Sequence, residues 1–564
     1  MGRSKIIRVR SFAVLVALGL VAAACGGGAG TTTTEGQGEA PATTSATQPA
    51  PGGEEQPETG GPEAEAPVIV VSLSTDVDIL EPHTFRTTGA YAVTRALYQP
   101  PADQVFVEEG GVRVGTSEVV ASPILESYSV SDDGLEATFV MNPDAKFDNG
   151  DPITAGDLAY TFRRTIEGPG YIGLLLPFIG IESSDQIEVV DERTLIVRPK
   201  VASSLFDRFM TFQVFGPINQ AVAEANATPD DPWAFEYFTN NAVSSGPYSL
   251  VEFDRDRGQI VLEPNPGYPG EVANGGIIVR NIPDAEQRAL LLQRGEIDVA
   301  VGLAPRLLAQ LQDDPNVNVY TAPSTRSVFL GMNVDIAPLD NKLVRQAISY
   351  AVPYDALLEQ VMFGFASPAG TLIPSTMETY AGDAIDVYTT DLERARQLLE
   401  ESGVGEFSIE LAVPQSSKEQ QQAAVLIQDN LRQIGIDAQI NILPDADYQG
   451  RRNNRELPLF FHEWYSWGDD PFYQMTFLLK CGQFTNFANY CNEELDQIIA
   501  EGTFTTDPAK RQELSTRAQQ IMLEDAPHAW LWAADWAVAT GKDISGVTKD
   551  FTEVPRFETL RKGG

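Results

Sequence analysis

Histidine and cysteine are the scarcest reactive residues of this chain, three of each in 564 positions. His83, His462 and His528 are far apart, and no two stand at the i, i+4 spacing that puts a metal-binding pair on one helix face. His462-Glu463 lacks the second histidine of a zinc-protease helix, so no metal site is expected. Also missing are a G-x-S-x-G elbow, a phosphate-binding loop, and a histidine in sequence company with Cys481 or Cys491. One G-x-G-x-x-G match, Gly168-Pro169-Gly170-Tyr171-Ile172-Gly173, follows a predicted helix over 157–165 and places Pro169 where a backbone N–H would have to face phosphate. The match is read as accidental, and no cofactor and no catalytic residue are assigned. The paired carboxylates of a glycoside hydrolase stay open as an alternative, because their separation is set in space rather than in sequence.

Positive charge is short as well: 39 Lys and Arg stand against 79 Asp and Glu, a formal charge of -40. Such a surface repels phosphate backbones and anionic headgroups, which argues against nucleic acid as a partner and requires an anchor for any membrane attachment. Long apolar runs are absent apart from residues 12–24, which follow Arg3, Lys5, Arg8 and Arg10. That run is shorter than the roughly 20 residues that span a bilayer, and it has the pattern of an export signal over residues 1–24. It ends in Ala22-Ala23-Ala24-Cys25-Gly26, which resembles a bacterial lipobox with Ala22 where leucine is favoured. A lipidated Cys25 is expected; the alternative is ordinary cleavage that leaves Cys25 unmodified. The remaining cysteines, Cys481 and Cys491, are ten positions apart, and in an oxidising compartment such thiols pair more often than they stay free. A local disulfide is expected, with two unpaired small hydrophobes as the alternative.

Between Cys25 and the folded part, residues 26–67 contain no aromatic and no large aliphatic side chain, so residues 25–67 read as a disordered tether. From Val68 onward a chain that is 43% hydrophobic overall has ample material for two or more lobes. Two stretches read as β-α-β units. In the first, Ile277-Ile278-Val279 is a strand, Asp284 caps a helix that buries Leu290 and Leu291, Gly295 ends it, and residues 297–301 form the next strand. In the second, Ile409, Leu411 and Val413 alternate, Ala424, Ile427, Leu431 and Ile434 recur at helical spacing, Gly435 stops the helix, and Ile436, Ala438, Ile440 and Ile442 alternate again. A helix capped by Asp391, with Leu392, Ala395, Leu398 and Leu399 on one face and Gly403 at its end, precedes it.

Open α/β sheets bind ligands beyond the carboxyl ends of their strands. The loop after Leu459-Phe460-Phe461 runs His462-Glu463-Trp464-Tyr465-Ser466-Trp467-Gly468-Asp469-Asp470-Pro471, a mixture of aromatic surface, carboxylates and loop formers suited to a pocket. The alternative is that the aromatics are core beneath a capped turn and the carboxylates a solvated rim.

The chain from Val68 onward resembles the extracellular solute-binding proteins of family 5, which include the oligopeptide- and dipeptide-binding lipoproteins of ATP-binding-cassette importers. The resemblance is carried by Leu125-Glu126-Ser127-Tyr128-Ser129-Val130-Ser131-Asp132-Asp133-Gly134, by Lys146-Phe147-Asp148-Asn149-Gly150-Asp151-Pro152-Ile153-Thr154, and, in family order, by Ser245-Gly246-Pro247-Tyr248, Asn265-Pro266-Gly267-Tyr268, Gly295-Glu296-Ile297-Asp298, Val344-Arg345-Gln346-Ala347 and Phe487-Ala488-Asn489-Tyr490-Cys491. Asp132-Asp133-Gly134 and Asp148-Asn149-Gly150-Asp151 are turn sequences that mark fold rather than chemistry.

The resemblance implies an α/β, two-lobed, periplasmic-binding-protein-like fold of the type II, Venus-flytrap kind with an extra subdomain in the first lobe. By analogy the first lobe is built from residues 68–100, 216–325 and 531–564, the subdomain from 101–215, and the second lobe from 326–530. It further implies a monomeric, extracytoplasmic receptor anchored to the outer face of the cytoplasmic membrane, which closes on a peptide or peptide-sized solute and presents it unaltered to the permease and ATPase subunits of an importer. Peptide binders of the family place an aspartate in the second-lobe loop to pair with the ligand's ammonium group. Here, with Asp470-Pro471 aligned to the family's Asp-Pro, Trp467 occupies that position, and Asp469 serves after a local shift. A sugar, aromatic or cationic solute stacked on Trp464 or Trp467 is the alternative. Further expected contacts are Thr88, Gly89 and Tyr91 from the first lobe, Arg326 at a crossing between lobes as a bidentate carboxylate holder or a hinge ion pair, Asp470 in the loop, and Asn486, for which a turn role beside the cysteines competes.

Overall fold

Ile69-Val70-Val71-Ser72-Leu73 is apolar on both faces, as a strand covered by helices on both sides must be, and it lies inside a sheet rather than at an edge. The computed structural model describes residues 66–466 and 468–563; the export signal, Cys25, the tether up to residue 65, and Trp467 lie outside them. Strand Ile69–Leu73 pairs in parallel with Ile277–Asn281 on one side and Val299–Val301 on the other, Val71 standing opposite both Val279 and Val299. Antiparallel strands extend this sheet to seven, with Gln259–Pro264 and Tyr248–Asp254 beyond one side, Trp536–Gly541 and Val317–Ala322 beyond the other.

The first β-α-β unit is present, with Asp284 accepting from the Gln287 N–H at 2.7 Å to cap helix Ala285–Gln293. Its inward face differs from expectation. Leu290 is 45% exposed, while Arg288 is 1% exposed. The Arg288 guanidinium donates to the carbonyls of Ile282 at 2.5 Å, Pro283 at 2.9 Å and Gly302 at 2.6 Å, closing the loops at both ends of the unit. Those three carbonyls would otherwise be left without donors, so the arginine takes the inward face with Ala289 and Leu292, and Leu290 turns to water.

A second sheet has six strands in the order Ala366–Ser367, His528–Ala534, Ser327–Met332, Leu459–Trp464, Phe407–Pro414, Ile436–Leu443. Here the second β-α-β unit is as the periodicity predicts: Phe407–Pro414 and Ile436–Leu443 pair in parallel through eight positions, joined by helix Lys418–Gln433, which buries Ala424, Ile427 and Leu431. Helix Leu392–Ser402 starts on the Asp391 cap and ends at Gly403, whose φ of +72° suits glycine. The chain passes between the two sheets twice, from Ala322 to Ser327 and from Ala534 to Trp536. The architecture is thus α/β and two-lobed.

Between the first helix and residue 215 the chain builds two smaller sheets on the first lobe. One orders Leu125–Val130, Ala137–Met141, Thr194–Val197 and Ile187–Val189; the other pairs Ala102–Glu109 with Val112–Ala121 and adds Thr548–Lys549 from near the carboxyl end. The Asp133 carboxylate accepts from the Ser131 hydroxyl and the Leu135 N–H, and Gly134 takes φ +69°, so this signature is a turn. The Gly168 match does follow a helix, Ala155–Glu167, and Gly168 is that helix's cap. Cys481 and Cys491 are joined, their Cα atoms 4.6 Å apart. Among the described residues no helix is long and apolar enough to cross a membrane.

Candidate functional site

Strand Leu459–Trp464 runs antiparallel beside Ser327–Met332, Trp464 opposite Ser327, and so delivers its carboxyl end to the first crossing between lobes. The loop that follows turns into helix Pro471–Leu478. Proline at the first helical position and aspartate before it are the reason the helix starts there. Asp470 accepts from the N–H groups of Phe472 at 2.9 Å and Tyr473 at 3.0 Å, pairs with Arg511, and is fully buried. Its carboxylate is consumed by the cap and the guanidinium, so the structure makes it a girder of the loop rather than a solute contact. Asn486 is similar. It donates to the carbonyls of Lys480 and Tyr490, accepts from the Tyr490 N–H, and is 2% exposed, holding the turn beside the disulfide.

Asp469 differs from both. Its backbone lies in the left-handed region at φ +46°, which an L residue adopts only when its surroundings hold it there. Its Oδ1 is buried without a hydrogen-bond partner. Burial pushes the carboxyl up to about 6; Arg208 and Lys549 act against the rise, and Asp470 and Glu553 add to it. This is an acid whose ionised form burial disfavours, with an acceptor still unused.

Around it the lobes meet through rings. Tyr473 and Phe477, from the helix after the loop, join the first lobe's apolar cluster, where the Phe178 ring lies 5.5 Å from Tyr473 and 5.6 Å from Phe477, and Phe209 lies 6.0 Å from Tyr473. Trp464 stacks on Phe477 at 5.6 Å, which is the core-packing alternative, yet its Nε1 is buried with no acceptor. Tyr91 is buried on helix Thr88–Leu97, edge-on to Phe85 at 4.9 Å. Burial raises its phenol pKa well above the usual range, and Asp550 and Tyr465 raise it further, linking a first-lobe ring to a second-lobe one.

The other expected contacts divide. Thr88 is exposed and shares a 2.9 Å hydrogen bond with Thr75. Gly89 is a packing position: a Cβ there would lie 2.4 Å from the Thr75 carbonyl oxygen and 2.8 Å from that of Asp76. Arg326 forms an ion pair, its Nη1 3.3 Å from Glu463, and its guanidinium lies 5.1 Å from the centre of the Tyr465 ring. Sequence reasoning missed Arg208 and the segment 549–553. A signal for the first existed: Arg208 is the lone cation in Leu205-Phe206-Asp207-Arg208-Phe209-Met210-Thr211-Phe212, and a cation in an apolar run must have partners. Nothing in the sequence places Lys549 and Glu553 near residue 469, or Asp550 near Tyr91.

Chemically this arrangement can hold a cationic end against Asp469 and flat or apolar groups against the rings. Among the described residues no three His, Cys, Asp or Glu side chains are grouped to hold a metal ion.

Comparison with known proteins bears on the fold and the family. A dipeptide-binding protein of Escherichia coli K12 is 29% identical over 478 residues, covering 79% of this chain and 87% of that protein. A glutathione-binding protein of E. coli is 25% identical over 490 residues, covering 85% and 91%. Among solved structures, a dipeptide-binding protein from a Pseudoalteromonas species in complex with Met-Leu superposes with a TM-score of 0.74 at 21% identity, covering 88% of this chain and 99% of that one, a likeness of fold. The model of the bacterial extracellular solute-binding proteins, family 5, matches residues 120–486, and the chain belongs to that family.

Proposed function

We propose that this protein is the receptor of an ATP-binding-cassette importer, capturing a small peptide or a peptide-sized solute with a cationic end between its lobes and releasing it unaltered. The observation that carries this reading is Asp469: a half-buried carboxylate whose Oδ1 is a buried, unused acceptor, in a loop of the second lobe that touches the first. An ammonium group brought there supplies the missing donor and favours the ionised acid. The surrounding rings of Tyr91, Tyr465 and Trp464 accept side chains of many shapes through contact area rather than through specific hydrogen bonds. Binding energy from groups on both lobes selects the closed arrangement, and a permease can then read shape instead of cargo. The two crossings between the sheets would serve as the hinge. In the same reading Cys25 carries the lipid that keeps the acidic body at the outer face of the membrane, and the receptor works as a monomer.

The test is mass spectrometry of solute released from the purified protein, followed by incubation with a dipeptide library. Stoichiometric retention of intact peptides with a free amino end supports the reading. Turnover of the peptides, or retention only of compounds without a cationic group, overturns it.

A further inference from the structure

Arg208 belongs to the first lobe, on the short helix Phe206–Phe209, yet its hydrogen-bond partners belong to the second. Nη1 donates to the Gly468 carbonyl at 3.1 Å and to the Asp469 carbonyl, and Nη2 lies 2.7 Å from the Glu378 carboxylate. The side chain is 9% exposed, and the Phe551 ring, 5.7 Å from the guanidinium, covers it from the first lobe. Beside it Ser204 reaches Asp470 at 3.4 Å. The fit is close. A Cβ on Gly468 would come within 2.7 Å of Leu205 and 3.2 Å of Phe209.

These partners share one property: all belong to the second lobe, so they would move together if the lobes part. A guanidinium that is paired and covered in the closed form would face water in the open form, so its hydrogen bonds count toward closure and not toward the folding of either lobe. The backbone carbonyl it holds is that of Asp469, the residue kept at φ +46°.

We propose that Arg208 is a positioning residue that acts as a latch: on closure it grips the second-lobe loop at Gly468 and Asp469, so that shutting the cleft and aligning the Asp469 carboxylate are a single event. The grip rests on these contacts and on the proposed closure of the lobes; the alignment half rests further on the reading of Asp469 as the partner of the solute's cation. The charged groups that bear on that carboxylate are Arg208 from the subdomain, Lys549 and Glu553 from the carboxyl-terminal segment, and its neighbour Asp470.

Hydrogen exchange of the full chain, freed of solute, tests the grip. In Arg208→Ala the amides of residues 466–473 should exchange about tenfold faster than in the wild type, the loss of a charge-assisted hydrogen bond or more. Arg208→Lys should fall between the two, since an ammonium cannot span carbonyl and carboxylate as a guanidinium does. Strand Ala137–Met141, in the subdomain core, should be unchanged. Equal exchange of the loop in wild type and Arg208→Ala overturns the latch, and parallel loosening of that strand overturns it too, by showing that Arg208 merely holds the subdomain. Titration with Met-Leu between pH 5 and 8 tests the alignment. Arg208→Ala should weaken binding about tenfold and move the pH midpoint of binding upward, because a cation beside Asp469 is gone. An unmoved midpoint removes the alignment half. Failure of the wild type to bind Met-Leu at any pH removes it together with the Asp469 reading, while the exchange result still decides the grip.

Discussion

Replacing Asp469 by asparagine should stabilise the empty protein at neutral pH and leave it unchanged in acid. The carboxyl titrates near 3.8 in an unfolded chain and at about 6 in the fold, chiefly because burial disfavours its charge. A raised carboxyl pKa means that the folded state holds the proton more tightly, so the fold gains relative stability at low pH and loses it as pH rises through the folded value. Each unit corresponds to 1.36 kcal/mol, which puts the full effect at up to about 3 kcal/mol, reduced by the water that reaches this partly exposed side chain. Asparagine carries no such charge. The gap between variant and wild type should therefore be near zero below about pH 4, widen up to about pH 6, and stay level above it. Scanning calorimetry of both proteins, freed of solute, at half-unit steps from pH 3.5 to 8 reads this directly. A gap that does not change with pH, or one that opens in acid and closes at neutrality, refutes the account of Asp469. The same substitution should weaken binding of a dipeptide ammonium at pH 7.5 by about tenfold or more, since a charge-assisted hydrogen bond is lost.

Arg511→Ala should lower stability by about 3–5 kcal/mol, because it strands the Asp470 carboxylate in a fully buried position; a chemical-denaturation midpoint close to wild type would contradict the pairing. Breaking the Cys481–Cys491 bridge by Cys481→Ser with Cys491→Ser should cost about 2–3 kcal/mol for a loop of this length, with the loss read by the same denaturation. Gly468→Ala should weaken dipeptide binding several-fold, since the added methyl meets Leu205 and Phe209 when the lobes are together; calorimetric titration with an unaltered dissociation constant would show that the lobes close elsewhere.

Elements whose period is pure were legible. Phe407–Pro414, Lys418–Gln433 and Ile436–Leu443 follow from alternation, helical spacing and a terminating glycine alone, because the inward positions there are apolar except Gln420 in the helix's first turn. Helix Ala285–Gln293 was placed correctly but rotated wrongly. Its inward position belongs to a cation that serves three carbonyls from neighbouring loops, and backbone demand of that kind leaves no trace in hydrophobic pattern. The site was legible only in part for the same reason. The aromatic and acidic loop announces itself, yet Asp470 and Asp469, adjacent and chemically identical, part company over an N-cap and a left-handed backbone angle. Arg208 and Asp469, 261 residues apart, meet only because two lobes do.

The middle strand of the first lobe's sheet comes at the very start of the folded chain, and its neighbours come far later: the Val70 N–H donates to the Asp298 carboxylate, 228 residues on, and the sheet is completed by Trp536–Gly541. Synthesis and passage through a translocation channel both proceed from the amino end. A strand emitted that early has nothing to pair with until residues 277–301 follow it, and the cost of joining segments so far apart makes closure of such a sheet slow. The second lobe is continuous from Ser327 to Ala534, yet its first strand also waits, for Leu459–Trp464 and His528–Ala534. Each lobe thus opens on a strand whose partners are emitted much later, and the first lobe's sheet stays incomplete until Trp536–Gly541 arrives to bridge Val299–Val301 and Val317–Ala322.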